Sequence, residues 1–313
     1  MIKDEARVQA TASVSHLGVV VKDIDAAKQL LKILFGIGPW WSAVIEIGKD
    51  QMIVGEAFKV KVAHARLLEN ITIELVEPIG PSIWSDFLTK NGEGLHHICY
   101  EVSNWQEMVD TAEKLGGRMT FGANTLGTKS CYMKLPTGLL VEFAGEHIHA
   151  EAEKTLRKES LPQVSLGGGH IGTVVKDTEQ AKELYKILGY ETWWTGDVSL
   201  PQDVMIVGDS LNVRVSDTLL AGRTLLELLE PTSSGSILDI FSKNSGGSLH
   251  HIGLEVLNWE AMIDKIEGAG GKMVFGANVW GKTAYMQLPI GLIVEIQTIP
   301  SHRDAQKMFG IIE

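Results

Sequence analysis

Apolar and polar positions alternate early in this chain. Val14-Ser15-His16-Leu17-Gly18-Val19-Val20-Val21 reads as a strand. After Lys22-Asp23 the period lengthens, and Ala26, Ala27, Leu30, Leu31 and Leu34 recur at helical spacing until Gly36 stops the helix. Several strands are expected between Trp40 and Val76, most clearly at Val60–Ala65 and Thr72–Val76. The turn Asn91-Gly92-Glu93-Gly94 leads into another strand, Leu95-His96-His97-Ile98-Cys99-Tyr100-Glu101-Val102. A second amphipathic helix runs from about Trp105 to Leu115 and ends at Gly116-Gly117. Strands follow near Arg118–Phe121, Ser130–Leu135 and Leu139–Ala144, the last two joined by the turn Pro136-Thr137-Gly138.

The same order then returns. Leu249-His250-His251-Ile252-Gly253-Leu254-Glu255-Val256 repeats the double-histidine strand 154 residues on. Thr72–Pro78 comes back as Leu225–Pro231, and Phe121-Gly122-Ala123-Asn124 as Phe275-Gly276-Ala277-Asn278. An internal duplication of this kind makes each copy one structural unit. Each copy itself reads as two successions of strand, helix and several strands. The expected organisation is a domain over residues 12–147, a linker over 148–164, a domain over 165–300 and a tail over 301–313, with a short arm before residue 12. Helices are expected at 178–188 and 259–268. The tail has no evident counterpart and is a candidate to cap an interface.

Composition narrows the function classes. A length of 313 residues supports two domains with real cores. A net charge of -11 argues against nonspecific nucleic-acid binding, which needs a basic surface. The chain lacks an eighteen-residue apolar run and an apolar leader, so neither membrane insertion nor secretion is expected. Cys99 and Cys131 form no paired motif, which fits a reducing cytoplasm.

The candidate chemistry rests on four positions per copy: His16, Glu74, His97 and Glu142, then His170, Glu227, His251 and Glu295. Each lies in a strand pattern among apolar neighbours, as Glu142 does in Leu139-Leu140-Val141-Glu142-Phe143. A buried carboxylate needs a charged partner, since unpaired burial is very costly. Two imidazoles and two carboxylates meeting at one divalent cation would supply it. Such a donor set suits Zn²⁺, Mn²⁺, Fe²⁺, Co²⁺ or Ni²⁺, one ion per domain. One strand histidine alone is more often structural, and duplication preserves some identity without function. Strand alternation turns His96 and His250 the other way, in a structural or supporting role.

Weaker signals accompany these. Trp40-Trp41 returns as Trp193-Trp194, either a buried aromatic pair or a pocket wall for an apolar substrate. His64 and Asp217 occupy similar places but differ in type, and either is a candidate proton shuttle. Lys129 and Lys282 read as solvent-facing lysines before substrate-carboxylate partners. Gly167-Gly168-Gly169 is not a phosphate loop, because no strand-to-helix turn surrounds it.

These motifs resemble the vicinal oxygen chelate superfamily, which includes glyoxalase I and methylmalonyl-CoA epimerase. The resemblance covers nearly all of residues 13–298, in two copies. It is strongest in Ile73–Pro78, Gly94–Val102 and Gly138–Glu142 and in their repeats Leu226–Pro231, Ser248–Val256 and Gly291–Glu295. It implies an α+β fold of tandem domains, each a curved mixed sheet of paired βαβββ modules, with the two quartets as metal ligands. Glutamate at 74 and 227 is more like glyoxalase I, since epimerases often carry glutamine there. Val60–His64 and Val213–Asp217 also lack the additional glutamate of the epimerases.

The function expected from the resemblance is a metal-dependent lyase or isomerase. It moves a proton beside a chelated oxygen of a small molecule with adjacent oxygens, with Glu142 or Glu295 as base. The alternatives are an Fe²⁺-dependent extradiol or keto-acid dioxygenase and a non-catalytic binding or resistance protein. A homodimer is left open.

Overall fold

The computed structural model describes residues 11–125, 127–156, 169–279, 281–298 and 302–313. Most of the expected N-terminal arm, the linker beyond residue 156 and the first two glycines of the Gly167–Gly169 run fall outside the described residues.

The first half runs β1 (Ala12–Val20), α1 (Ile24–Phe35), β2 (Trp41–Ile47), β3 (Met52–Val54), β4 (Phe58–Leu68) and β5 (Ile71–Pro78). A connecting helix α2 (Ile83–Asn91) leads to β6 (Gly94–Val102), α3 (Trp105–Lys114), β7 (Arg118–Thr125), β8 (Thr128–Lys134), β9 (Leu140–Gly145) and α4 (Ala150–Leu156). The second half repeats this as β10 (Gly169–Val174), α5 (Thr178–Tyr185), β11 (Trp194–Leu200), β12 (Met205–Val207), β13 (Leu211–Ala221) and β14 (Thr224–Pro231). It continues with α6 (Ile237–Ser245), β15 (Ser248–Val256), α7 (Trp259–Gly268), β16 (Lys272–Asn278), β17 (Lys282–Gln287), β18 (Ile293–Thr298) and α8 (Arg303–Met308).

Local chemistry explains the helix boundaries. Asp23 accepts hydrogen bonds from the amides of Asp25 and Ala26, and Asn104 and Asn258 cap α3 and α7 in the same way. Gly36 ends α1 in the left-handed conformation at φ 70°, which glycine adopts without a steric penalty. Helices α2 and α6 escape the sequence reading because their apolar faces are short. Serine caps, Ser82 and Ser236, mark their starts.

Each half forms one curved, nine-stranded mixed sheet. The first has the order β2-β4-β5-β1-β6-β9-β8-β7-β3, and the second matches it strand for strand. The two modules of a half join where β1 pairs antiparallel with β6, while β1–β5 and β6–β9 are parallel. This is the tandem organisation expected from the repeat and the curved mixed sheet that the resemblance implies.

Strand alternation sorts the side chains. Leu17, Val19 and Val21 enter a core that also takes in α1, α3, α5 and α7 and draws on both halves. Val20 belongs to a separate inner cluster with Val60, Val62, Trp84 and Phe121. The second half has its own equivalent around Val174, Val213, Leu238 and Phe275. The sheets thus stay separate while their helix-covered faces share one core. The indole Nε1 atoms of Trp105 and Trp259 tie α3 and α7 to their sheets by donating to Phe143 O at 2.9 Å and Ile296 O at 3.0 Å.

No helix among the described residues is long and apolar enough to cross a membrane.

Candidate metal centres

Four adjacent strands, β5, β1, β6 and β9, deliver one quartet residue each. In register, Glu74 and His97 flank Gly18, while His16 and Glu142 flank Cys99. Gly18 is there for space. A Cβ built on it would meet the His97 ring at 1.9 Å. Gly172 stands in the same relation to His251, at 2.0 Å, and Gly253 to His170, at 1.8 Å.

In the first half, His16 Nε2 and His97 Nε2 face each other at 3.1 Å. Glu142 Oε2 lies 3.4 Å from His16 Nε2 and 3.1 Å from His97 Nε2, and Glu74 Oε2 lies 3.4 and 3.6 Å from the same atoms. In the second half, the His170 and His251 Nε2 atoms are 2.8 Å apart. Glu295 Oε2 is 2.9 and 3.0 Å from them, and Glu227 Oε2 is 3.8 and 3.5 Å away. All eight residues are buried. The structure therefore brings each predicted quartet together: the four second-half donors lie within 4.8 Å of one another, and in the first half His16, Glu74 and His97 do, with Glu142 against both histidines.

The donor chemistry fits a divalent cation. Two imidazole Nε2 atoms at this separation can share one proton at most, and both are aimed at two carboxylate oxygens. Glu227 Oε2 is buried and has no hydrogen-bond partner. Donors each about 2.1 Å from a common ion lie roughly 3–4 Å apart, as these do. Among groups able to hold an ion, His170, Glu227, His251 and Glu295 form one, and His16, Glu74 and His97 another. His16, Cys99 and His149 form a third, but burial pushes the Cys99 thiol up, which disfavours the thiolate a metal requires.

His96 and His250 do not face away. The register shifts between Gly18 and Val19, where His97 and Leu95 are the partners, leave His96 as the extra residue of a β-bulge. His96 Nδ1 lies 3.0 Å from His97 Nδ1, and both rings touch Tyr132. The same arrangement joins His250, His251 and Tyr285. Burial and the neighbouring His97 push the His96 imidazole down to about 3, so it is neutral and its Nδ1 can accept a hydrogen bond from His97 Nδ1–H. Such a bond fixes the ligand's tautomer and leaves Nε2 free for a metal.

Two further histidines were missed. His149, at the start of α4, stacks edge-on against His16 with ring centroids 4.7 Å apart and bonds Glu101 Oε1 at 2.9 Å. His302, which caps α8, lies 4.4 Å from the His170 ring. Helices α4 and α8 are thus counterparts, and the tail does have one in the chain. The signal was present: His302 follows His149 at the spacing by which Glu295 follows Glu142.

The halves differ beside the quartet glutamate on β5 and β14. On β4, His64 Nε2 lies 3.2 Å from Glu74 Oε1. At the equivalent register on β13 stands Asp217, opposite Glu227. His302 enters from the tail, with Nδ1 3.2 Å from Asp217 Oδ2 and Nε2 3.8 Å from Glu227 Oε1. The electrostatic result is opposite in sign. Burial disfavours both glutamates as anions, but His16 and His64 hold Glu74 well below the usual carboxylate range. Glu227 is pushed well above it by burial, with Glu295 and Asp217 adding to the rise against the pull of His302.

Glu227 and Glu295 of the second quartet line a cavity of about 590 Å³, walled by Trp194, Val213, Val215, Leu229 and Phe275. Trp194 and its counterpart Trp41 pack with the inner clusters, whereas Trp40 and Trp193 pack against the shared core, so each tryptophan pair divides its roles. Lys282 is among the residues lining the cavity, but its Nζ bonds the exposed Glu260 and lies 5.2 Å from the Trp259 ring centroid. Lys129 sits 5.0 Å over Trp105.

The sequence profile of the Glyoxalase/Bleomycin resistance protein/Dioxygenase superfamily matches residues 15–133 and again 169–284. The chain belongs to that superfamily, as a tandem member. Among solved structures, it is similar to a triple mutant of 4-hydroxymandelate synthase from Streptomyces coelicolor, at 11% identity and TM-score 0.59, covering 93% of each chain. The Mn(II)-bound glyoxalase from Novosphingobium aromaticivorans matches at 14% identity and TM-score 0.48, over 91% of this chain and 81% of that one. Methylmalonyl-CoA epimerase from Mycobacterium tuberculosis matches at 20% identity and TM-score 0.35, over 46% of this chain and 92% of that one. A comparison with curated protein sequences finds no significant match. The superfamily fold and one candidate chelating cluster per half together support a metal-dependent enzyme.

Proposed function

We propose that this protein is a metal-dependent lyase or isomerase that moves a proton next to a chelated substrate oxygen. The observation that carries this reading is the convergence of His170, Glu227, His251 and Glu295, whose two glutamates line a largely apolar cavity. An ion held there would supply Lewis acidity to a substrate carbonyl or carboxylate oxygen.

The chain's own residues supply the rest. Trp194, Val213, Val215 and Phe275 exclude water and fit an apolar substrate body beside its polar, chelating end. Glu295 is the base of this half. Its Oε1 accepts a hydrogen bond from Thr283 Oγ1, while Oε2 faces both histidines. Held on Thr283 through one oxygen, the carboxylate can turn the other toward a substrate carbon. There it takes the proton and returns it to the same or a neighbouring atom. His170 and His251 hold Glu295 well below the usual carboxylate range despite burial, so displacement from them is what makes it basic. Glu142 is the corresponding group of the first half.

The test is metal-reconstituted protein in deuterated water with a panel of 2-hydroxy acids, 2-keto acids and acyl thioesters. Deuterium appearing at carbon without oxygen uptake supports proton transfer. Oxygen-dependent turnover with Fe²⁺ and no carbon exchange would replace it with a dioxygenase. Unchanged ligand in every case would leave a binding protein.

A further inference from the structure

We propose that His302 is a further catalytic residue of the second half: its Nε2–H donates a hydrogen bond to the substrate oxygen that gains charge as the proton leaves carbon. The proposal rests on the reading of the second quartet as a metal centre for proton transfer, and adds the group that faces the base across it.

The row of strands sets the two groups apart. Neighbouring strands run β13, β14, β10, β15 and β18, and they carry Asp217, Glu227, His170, His251 and Glu295 in that order. Glu295, the base, stands at one end. His302 meets the other end, with Nδ1 3.2 Å from Asp217 Oδ2 and Nε2 3.8 Å from Glu227 Oε1. A substrate chelated over the middle of the row therefore has one side toward Glu295 and the other toward His302. Asp217, Glu227, Glu295 and His302 all line the same cavity.

His302 is held so that it can donate. Its Nδ1–H bonds Asp217 Oδ2, which fixes the ring and aims Nε2 toward Glu227. At 3.8 Å no hydrogen bond forms there, and Nε2 is buried without a partner. The side chain is 10% exposed, so the atom is shut away from bulk water. Both ring nitrogens face carboxylate oxygens, which accept and do not donate, so each nitrogen carries its proton. Leaving such a donor unmet is costly, and a substrate oxygen arriving beside Glu227 meets it.

The first half arranges the same parts differently. There His64, in the place of Asp217, pairs with Glu74 Oε1 directly, and His149 is turned to Glu101 Oε1 at 2.9 Å. In the second half Gln306 bonds the matching glutamate, Glu255, at 2.7 Å, which leaves His302 to Asp217.

The step balances within the chain and its substrate. Glu295 takes the proton from carbon, the C–H electron pair forms a C=C bond, and the carbonyl π pair moves onto oxygen. His302 shares its Nε2 proton with that oxygen and keeps it. Return of the proton to carbon reverses the flow. A donor fixed in advance where charge develops stabilises the transition state more than the ground state.

The experiment uses the full chain, stripped with chelator and loaded with Zn²⁺. Acetohydroxamate is the probe, because its two vicinal oxygens carry negative charge as the reacting substrate does. Azide, which presents a single donor atom, is the reference. Calorimetry reads both affinities, and their loss in His251→Ala assigns the second-half site. His302→Phe keeps a ring and removes both donors. It should weaken acetohydroxamate at that site by about 10- to 100-fold, with azide affinity and metal content unchanged. His302→Gln, whose amide reaches the place of Nε2, should recover most of the loss. If the phenylalanine variant does not fold, Asp217→Asn loosens the ring and should weaken acetohydroxamate by about tenfold. Equal weakening of both probes, or of neither, would overturn the proposal and leave His302 as a shield for Asp217. Full metal content in His251→Ala would overturn the quartet reading and this one with it. Probe selectivity that depends on His302, without deuterium exchange from any substrate, would support the donor and sink the proton-transfer reading.

Discussion

The ring of His251 lies directly across Gly172, where an added Cβ would meet the imidazole at 2.0 Å. A contact that short cannot be accommodated without moving the ligand or the strand. Gly172→Ala should therefore weaken metal binding in the second half by about 10- to 100-fold, the usual scale for disturbed support of a ligand. Gly18→Ala should do the same in the first half. Elemental analysis after dialysis against a weak chelator checks both, and unchanged metal content would show that the strands yield freely.

Thr283 grips the Glu295 oxygen that does not face the histidines. Thr283→Val keeps the shape and removes that grip, so kcat should fall by roughly tenfold or more while metal content holds. Glu295→Gln should go further. An amide fills the same space but is a poor base, and solvent deuterium exchange should drop by about 10²- to 10⁴-fold. If exchange survives Glu295→Gln but fails in Glu142→Gln, the first half carries the reaction.

Trp194 stands at the edge strand β11, in register with Asp217, and forms part of the cavity wall. Trp194→Ala removes a large apolar surface without touching the quartet. KM for an apolar substrate should rise by about 10- to 100-fold, from roughly 1.5–3 kcal/mol of lost burial. Metal content should be unchanged. A fall in kcat with constant KM would mean that the tryptophan positions the ligands instead.

Trp105 and Trp259 anchor their helices through single indole hydrogen bonds to strand carbonyls. Trp105→Phe removes the donor, leaves Phe143 O without that partner and shrinks a buried ring. It should lower stability by about 1–3 kcal/mol, read as a shift in denaturant midpoint. Trp259→Phe should cost a similar amount. A loss confined to one half would show in two separated transitions, and a single transition would show that the shared core couples the halves.

The tandem curved sheets were legible because the repeat is local information. Strand alternation, helix period and capping residues such as Asp23 and Asn104 are written within a few positions of where they act. The eight quartet residues were legible for a related reason: a histidine or glutamate inside an apolar strand must find a partner, and the copies place these at matching positions. Alternation misassigned His96 and His250, because a bulge adds a residue to β6 and to β15 and turns both members of each pair to one side.

Only the tertiary structure decided what covers each centre and how the centres differ. His149 and His302 follow their domains in sequence, yet fold back over β1 and β10 to touch His16 and His170. Chain order gives no reason for that return. Its cause is spatial: the open sheet face, and for the second half the Asp217–Glu227 pair, draw in a group that shields them. The exchange of His64 for Asp217 was visible as two letters, but its meaning depends on register across β4–β5 and β13–β14. The sequence by itself determined the repeat, the curved-sheet architecture and the set of donors. Distance and burial alone decided which donors share a point, and why Glu74 is held low while Glu227 is pushed up.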